Sequence, residues 1–323
     1  MAARESLDEK LAAMRALRGQ ELTDEQKGGL RKRIGDRSNL VVAAAAAIAG
    51  ENALAELAGD LEAAFDRFLV NPLKDDKLCR AKIAIVQALD RMEHPKPEVF
   101  LKAARHVQLE PVWGGAEDTG PPLRAAALVA LARAEGPDSL PVLVDALADP
   151  ARDVRIAAAV ALGAVGTESA GLVLRLKVRL GDKDPDVLSE CLGGLLAADP
   201  HGSLPLVAEL LDPGNPFACE AAAMALGKSR LPEALDPLGD CWERSRSADL
   251  GRHVLLAIAI LRRPAAMDFL ADLVASAPEP EAIAALSALG IYKDDPRLSE
   301  RIAEVVRGRG SQRLQDAFDR GFG

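Results

Sequence analysis

Aromatic residues are scarce in this chain: they make up 3% of 323 residues, with two tryptophans and one tyrosine. A β-sandwich core requires aromatic and β-branched side chains in alternation, so their shortage argues against that class. Apolar residues nevertheless reach 49%, which is enough to bury a continuous core and excludes a disordered chain. We therefore predict a core of Ala, Leu, Val and Ile on closely packed helices.

A basic excess is also missing, because 49 acidic residues stand against 40 basic ones and the formal net charge is −9. Proteins that bind the phosphate backbone of nucleic acids usually carry a basic excess or a basic stripe. The runs Arg31-Lys32-Arg33 and Arg262-Arg263 are too short to reverse the sign of the whole chain. Nucleic-acid binding is therefore the less favoured function.

Cysteine pairs and histidine clusters are lacking as well. The four cysteines are widely spaced inside apolar helical segments and form no CxxC motif, which indicates free thiols in a reducing, cytoplasmic compartment. Of the four histidines, none precedes a glutamate, and His106 and Glu110 would share a helix face only if Pro111 did not end the helix. With no phosphate-binding loop or nucleophile elbow either, we expect no metal, no cofactor and no enzymatic activity.

Long hydrophobic runs are missing too. The longest, LVVAAAAAIAG from Leu40, has about half the length that a bilayer requires, and the charged N-terminus MAARESLDEKLAAMRALR contains no apolar signal region. We therefore expect no membrane partner.

What the sequence does contain is an internal repeat. Runs of small apolar residues recur, as in DVRIAAAVALGAVG from Asp153 and FACEAAAMALGKSR from Phe217. Each interval holds a second amphipathic helix, and a two-helix unit of this size must stack on its neighbours to bury its apolar face. One apolar anchor per run can be aligned, at intervals of 29 to 42 residues: Ile48, Leu89, Leu131, Leu162, Leu195, Leu226, Ile260 and Leu289.

The segment ALADPARDVRIAAAVALGAVG, from Ala146 to Gly166, resembles a HEAT repeat of the short bacterial type, which also occurs in phycobilin-lyase-like subunits. The matching residues are Asp149, Val154, Arg155, Ala158, Ala159, Leu162 and Gly163. The resemblance implies an all-α, right-handed α-solenoid of about eight helix pairs. We expect residues 1–323 to form one solenoid, with caps at 1–35 and 309–323 and repeats over 36–308.

In solenoids of this family the second helix of each pair lines the concave surface, so its polar residues are the candidates for partner binding. In this chain they are Arg80, Arg124, Arg155, Glu190, Glu220 and Arg252. The resemblance also gives Arg155 a structural alternative, because with Asp149 or Asp182 it matches the family's inter-repeat ion pair or turn hydrogen bond.

One connection departs from the repeat pattern. In the stretch HVQLEPVWGGAEDTGPP the first helix of a pair is predicted to end near His106 and the second to begin at Pro121 or Pro122, leaving a long loop over 107–120. Loops of this length in compact domains are usually functional when ordered. Trp113, with the acceptors Glu117 and Asp118 and between Arg105 and Arg124, is therefore either a recognition element or a packing plug between wide and narrow repeats.

The favoured function is a non-enzymatic scaffold or adaptor that binds a protein or peptide of unknown identity in the concave groove. The alternative is a lyase-type or regulatory subunit that assists a partner enzyme acting on a small molecule. The fold alone does not decide between them, because unrelated partners bind such solenoids.

Overall fold

In a computed structural model that describes residues 5–134 and 139–323, the chain is helical apart from one small hairpin. The described residues divide into two compact units, Met1–Val165 and Gly166–Gly323. Within each unit, antiparallel helix pairs follow one another along the chain, and the second helix of each pair packs on the second helix of the next. The predicted all-α array of HEAT-like pairs is thus confirmed, with the hairpin as an addition.

Unit 1 contains one leading helix and four helix pairs in its described part, together with the hairpin. Its helices are α1 (Leu7–Leu17), α2 (Asp24–Ile34), α3 (Asn39–Glu51), α4 (Ala58–Val70), α5 (Pro72–Asp75), α6 (Arg80–Arg91), α7 (Glu98–Ala104), α8 (Pro121–Arg133), α9 (Ser139–Ala146) and α10 (Arg152–Val165). The strands β1 (Leu109–Val112) and β2 (Gly115–Asp118) connect α7 to α8.

Unit 2 contains five further pairs, the last of which begins in the predicted repeat region and extends into residues 309–323, the predicted C-terminal cap. Its helices are α11 (Glu168–Leu180), α12 (Pro185–Ala198), α13 (Pro200–Glu209), α14 (Pro216–Ser229), α15 (Leu235–Arg244), α16 (Ala248–Ile260), α17 (Pro264–Ser276), α18 (Glu279–Leu289), α19 (Pro296–Arg309) and α20 (Gln312–Phe322). No helix in the described ranges is long and apolar enough to cross a membrane.

The aligned apolar anchors form the core of both units, with one correction. Leu162 and Leu226 are fully buried, as predicted, whereas Ile260 is only half-buried. The buried residue at the equivalent place in α16 is Ile258, which follows Leu226 by 32 residues (258 − 226). The alignment was therefore two residues out of register in that repeat, because several small apolar residues in a row offer more than one choice of anchor.

Small residues in the second helices permit close contact between neighbouring backbones. A Cβ atom added to Gly50 in α3 would lie 2.8 Å from Cα of Ala88 in α6. In unit 2, one added to Gly227 in α14 would lie 2.5 Å from the carbonyl oxygen of Ala257 in α16. The Ala- and Gly-rich composition thus sets the short distance between successive repeats.

The turn from the first to the second helix of a pair uses one recurring device. An aspartate carboxylate accepts a hydrogen bond from the backbone N–H two residues later, which closes the turn and precedes the next helix. This bond occurs from Ser38 to Asp36, from Gly120 to Asp118, from Ala151 to Asp149, from Asp184 to Asp182 and from Gly214 to Asp212, over 2.8 to 2.9 Å.

A second device joins consecutive pairs: a long side chain donates to a backbone carbonyl one repeat earlier. In unit 1, Arg67 donates to Ile34; in unit 2, Arg244 donates to Leu211, Arg263 to Arg230, Tyr292 to Ala259 and Arg309 to Ala275, over 2.6 to 3.1 Å. Several of these carbonyls lie at or just beyond a helix C-terminus, where they would otherwise lack an intrahelical partner.

Candidate functional site

Residues 107–120 form a β-hairpin where the sequence predicted a long loop. Strands β1 and β2 pair antiparallel, with Glu110 opposite Glu117 and Val112 opposite Gly115. Trp113 and Gly114 make the turn, and Gly114 has φ 86°, a conformation that favours glycine. Helix α8 begins at Pro121, as predicted, whereas α7 ends at Ala104, two residues earlier than expected.

Trp113 stands at the tip of this hairpin and is fully exposed, at 104% of its reference surface. This exposure contradicts the packing-plug interpretation, because a plug would be buried between repeats. Val112 next to it, and Val107 and Leu109 toward the base of the hairpin, are also exposed, at 46 to 60%. A soluble surface rarely presents this many neighbouring apolar side chains without a binding role.

The base of the hairpin is held by Gln108, which is 2% exposed. Its amide Nε2 donates to the backbone carbonyl of Asp76 at 2.9 Å and to the Glu110 carboxylate at 2.7 Å. Its Oε1 lies 3.0 Å from Nζ of Lys82 and 3.1 Å from Nε2 of His106. Burial lowers the pKa of His106, which favours the neutral imidazole.

Below Gln108 lies an ion pair between two fully buried side chains. Nζ of Lys82 is 3.1 Å from Oδ2 of Asp76, and both side chains are 0% exposed. The backbone N–H groups of Ala81 and Lys82 and the amide of Asn39 also donate to the Asp76 carboxylate. The aspartate is therefore fully hydrogen-bonded, which a buried charge requires.

At the same base of the hairpin, strand β2 is held by Asp118 and Arg124. The Arg124 guanidinium donates to Asp118 at 2.7 Å and makes two bonds to Asp149, at 2.8 and 3.0 Å. Burial alone would raise the pKa of Asp118, but hydrogen bonds from Arg124 and from the backbone of Gly120 and Gln108 outweigh it and lower that pKa. This end of the hairpin is therefore held by a charge-assisted network.

A second long connection lies against the hairpin. Between α4 and α6 the chain passes through α5 and a 3₁₀ turn, where Leu78 and Cys79 both have left-handed backbones, with φ 59° and 53°. The N–H of Leu78 donates to the Glu110 carboxylate at 2.5 Å, and the Leu78 side chain is 47% exposed. Val112 follows Glu110 by two residues and therefore lies on the same face of β1 as the contact with Leu78. We call the exposed side chains of Leu78, Val112 and Trp113 the hairpin patch.

Two predicted partner-binding residues have structural positions instead. Arg124 is 3% exposed and engaged as described above, while Arg155 is 5% exposed and donates to the carbonyls of Asp149 and Pro150. Because both guanidinium groups are buried, neither is accessible to a binding partner. For Arg155 this agrees with the turn hydrogen bond that the family resemblance suggested.

The remaining predicted residues are distributed over both units. Glu117 and Arg80 are exposed in unit 1, and Asp118 is half-buried there. In unit 2, Arg252 pairs with Asp249 on its own helix, Glu190 lies 2.5 Å from Lys228, and Glu220 lies 3.6 Å from His253. Their role in partner binding stays a prediction.

Sequence reasoning missed the residues that hold the hairpin: Asp76, Lys82, Gln108 and Thr119. One signal was available, because Lys82 is the single charged residue in the apolar run AKIAIV, six residues after Asp76. In the part of the chain that the structure describes, no three His, Cys, Asp or Glu side chains are close enough together to hold a metal ion.

Comparison with known proteins agrees with this architecture. Residues 114–176, from the hairpin turn into α11, match the family described as HEAT repeats. HEAT repeats are thus identified in this part of the chain. No curated protein matches its sequence significantly.

Three solved structures illustrate the similarity of this HEAT-repeat chain to others. The CpcE–CpcF complex of phycocyanin lyase from Nostoc sp. is 19% identical, covers 80% of this chain and 94% of its own, and has a TM-score of 0.39. Human deoxyhypusine hydroxylase is 18% identical over 82% of this chain and 96% of its own, with a TM-score of 0.34. An engineered protein is 16% identical over 99% and 95%, with a TM-score of 0.37.

Proposed function

We propose that this HEAT-repeat chain is a non-enzymatic protein-binding scaffold that contacts its partner through the hairpin patch. The observation that carries the proposal is the full exposure of Trp113 on a hairpin whose base is buried and hydrogen-bonded. Tryptophan is among the residues most enriched where binding energy concentrates at protein interfaces. Trp113 is one of only two tryptophans, and because its side chain is exposed to water it adds no burial energy to the fold.

The energy available from this side chain is large. A tryptophan buries about 150–250 Å² in an interface, which at about 25 cal/mol per Å² corresponds to a gross gain of about 4–6 kcal/mol. Leu78 and Val112, on one face of the hairpin, extend the apolar surface around it. The hairpin patch can therefore supply the apolar centre of an interface.

Rigidity at the base of the hairpin supports the same role. The Gln108, Lys82 and Asp76 contacts hold β1 before any partner arrives, and the Arg124 bonds hold the end of β2. A patch that is ordered in advance loses less conformational entropy on binding than a flexible loop does. This distinguishes the hairpin from an exposed loop that merely happens to contain a tryptophan.

The test is affinity capture from the native host with the full chain, compared between wild type and Trp113→Ala and read out by quantitative mass spectrometry. We expect at least one protein to be retained by wild type and depleted about thirtyfold by the variant, which corresponds to a loss of about 2 kcal/mol. The thermal midpoint should not change, since the removed ring makes no buried contact.

Leu180→Ala is the matched control, because Leu180 is also an exposed apolar side chain, at 76%, but lies in unit 2. It should retain the same proteins as wild type. Equal capture by wild type and Trp113→Ala would exclude the hairpin patch as the binding site. The concave groove, and the alternative of a lyase-type or regulatory subunit, stay predictions.

A further inference from the structure

We propose that unit 2 carries a second, independent binding site: an arginine cleft that takes an acidic peptide segment containing one apolar side chain. The cleft has a volume of about 410 Å³ and lies between the turn from α16 to α17 and the turn from α18 to α19. Arg262, Arg263, Arg297 and Arg301 all line it. The chain as a whole has a net charge of −9, whereas these four arginines concentrate positive charge around one cleft.

The carboxylates within the cleft leave part of this positive charge uncompensated. Asp268 is occupied by Arg301, at 2.8 Å, and Asp295 accepts from the backbone N–H groups at the start of α19. Among the described residues, neither Arg262 nor Arg297 has an ion pair, and both are exposed. Arg262 contacts the Tyr292 side chain, which also lines the cleft. Both guanidinium groups therefore lack a carboxylate partner in the described part of the chain and can bind an incoming anion.

The apolar part of the lining narrows the class of ligand. Pro264, Met267 and Leu298 share the cleft with the arginines. Guanidinium groups bind carboxylates with two parallel hydrogen bonds, while the apolar residues accommodate an uncharged side chain. The overall negative charge of the chain disfavours nucleic acid. An acidic peptide segment with one apolar residue satisfies both parts of the cleft.

The experiment measures binding of a fluorescein-labelled peptide Glu-Glu-Leu-Glu-Glu to the full chain by fluorescence anisotropy at low salt. We expect a Kd on the order of 10–100 µM, about tenfold weakening when the peptide leucine is replaced by glycine, and at least tenfold weakening in Arg262→Ala/Arg297→Ala. Trp113→Ala should bind the peptide as wild type does, so failure here and failure of the proposed function are distinguishable.

The matched control is Arg179→Ala/Arg307→Ala, which removes two exposed arginines of unit 2 outside the cleft and changes the net charge equally. It should bind the peptide like wild type, and thermal melts should show that both double variants fold. The proposal is overturned by no binding at millimolar peptide, by equal weakening in the control, or by no effect of the leucine. Stronger binding of a single-stranded oligonucleotide, or self-association abolished by the cleft variant, would assign the cleft to nucleic acid or to a second copy instead.

Discussion

Two connections in this chain perform the same task with different lengths. Between α13 and α14 six residues (210–215) suffice, whereas between α7 and α8 there are sixteen (105–120). Both end in the same device, since Gly214 donates to Asp212 at 2.9 Å and Gly120 donates to Asp118 at 2.8 Å. The hairpin is therefore an insertion ahead of an ordinary turn, and the repeat beneath it keeps its usual closure.

This comparison shows that the hairpin and the helix array are structurally separate parts of unit 1. Gln108, in the long connection between α7 and α8, makes buried contacts with Asp76 and Lys82. Asp76 lies in the other long connection, between α4 and α6, and Lys82 lies at the start of α6. These two insertions account for the widest anchor intervals, from Ile48 to Leu89 and from Leu89 to Leu131. Variants can therefore be chosen that affect the array, the insertions or only the hairpin tip.

The largest effect should come from breaking the ion pair beneath the hairpin. Asp76→Ala leaves the Lys82 ammonium buried without its carboxylate, and removing one partner of such a pair costs about 3–5 kcal/mol. The measurement is the free energy of unfolding by urea. Asp75→Ala, an exposed neighbour, is the control and should change it by less than about 0.5 kcal/mol. A small effect of Asp76→Ala would show that the pair is not buried.

A comparable loss is expected in the array itself, in the repeat with the ordinary turn. Leu226→Ala deletes a fully buried side chain and should cost about 2–5 kcal/mol. Because repeats couple mainly to their neighbours, hydrogen exchange should accelerate in α12, α14 and α16 more than in α20. Uniform acceleration throughout unit 2 would contradict the repeat-by-repeat coupling.

Sequence reasoning recovered the array better than the insertion. Leu162 and Leu226 were placed in the core because small apolar runs repeat at regular intervals, and regularity is visible in one sequence. The hairpin was missed because Pro111, Gly114 and Gly115 are typical of loops, and each strand has only four residues. Its anchors come from residues more than twenty positions apart, as Lys82 and Gln108 are, and no local pattern reports such a contact.

Acidification should loosen the hairpin more than it loosens the ordinary turn between α13 and α14. The pKa of Asp118 lies below its ordinary value of 3.8, so its stabilising bonds are complete above that pH and are lost as the pH falls below it. The lowered pKa of His106 acts in the same direction, beginning below its ordinary value of 6.5. Hydrogen exchange of residues 107–120 between pH 7 and pH 3 measures this, and Asp118→Asn should lose the lower step. The prediction is wrong if hydrogen exchange around Asp212 accelerates on acidification as much as it does in residues 107–120.

The smallest effect on stability should come from the hairpin tip. Replacing Pro111–Ala116 by an Asn-Gly turn keeps Glu110 opposite Glu117 and removes Trp113 with no buried side chain. The free energy of unfolding should change by less than about 1 kcal/mol, while partner capture falls as far as it does in Trp113→Ala. A large loss of stability would mean that the tip contributes to the fold after all.

The side chains that reach back one repeat also determine how the array responds to a pulling force. Within unit 2, Arg244, Arg263, Tyr292 and Arg309 each bond to a carbonyl about one repeat earlier, so the junctions from α13–α14 onward each contain at least one such bond. Stretched from its ends, such an array lengthens in a series of small steps, one junction at a time. We therefore expect one repeat of unit 2 to open under load while its neighbours stay folded, so that the length of the unit can change without global unfolding.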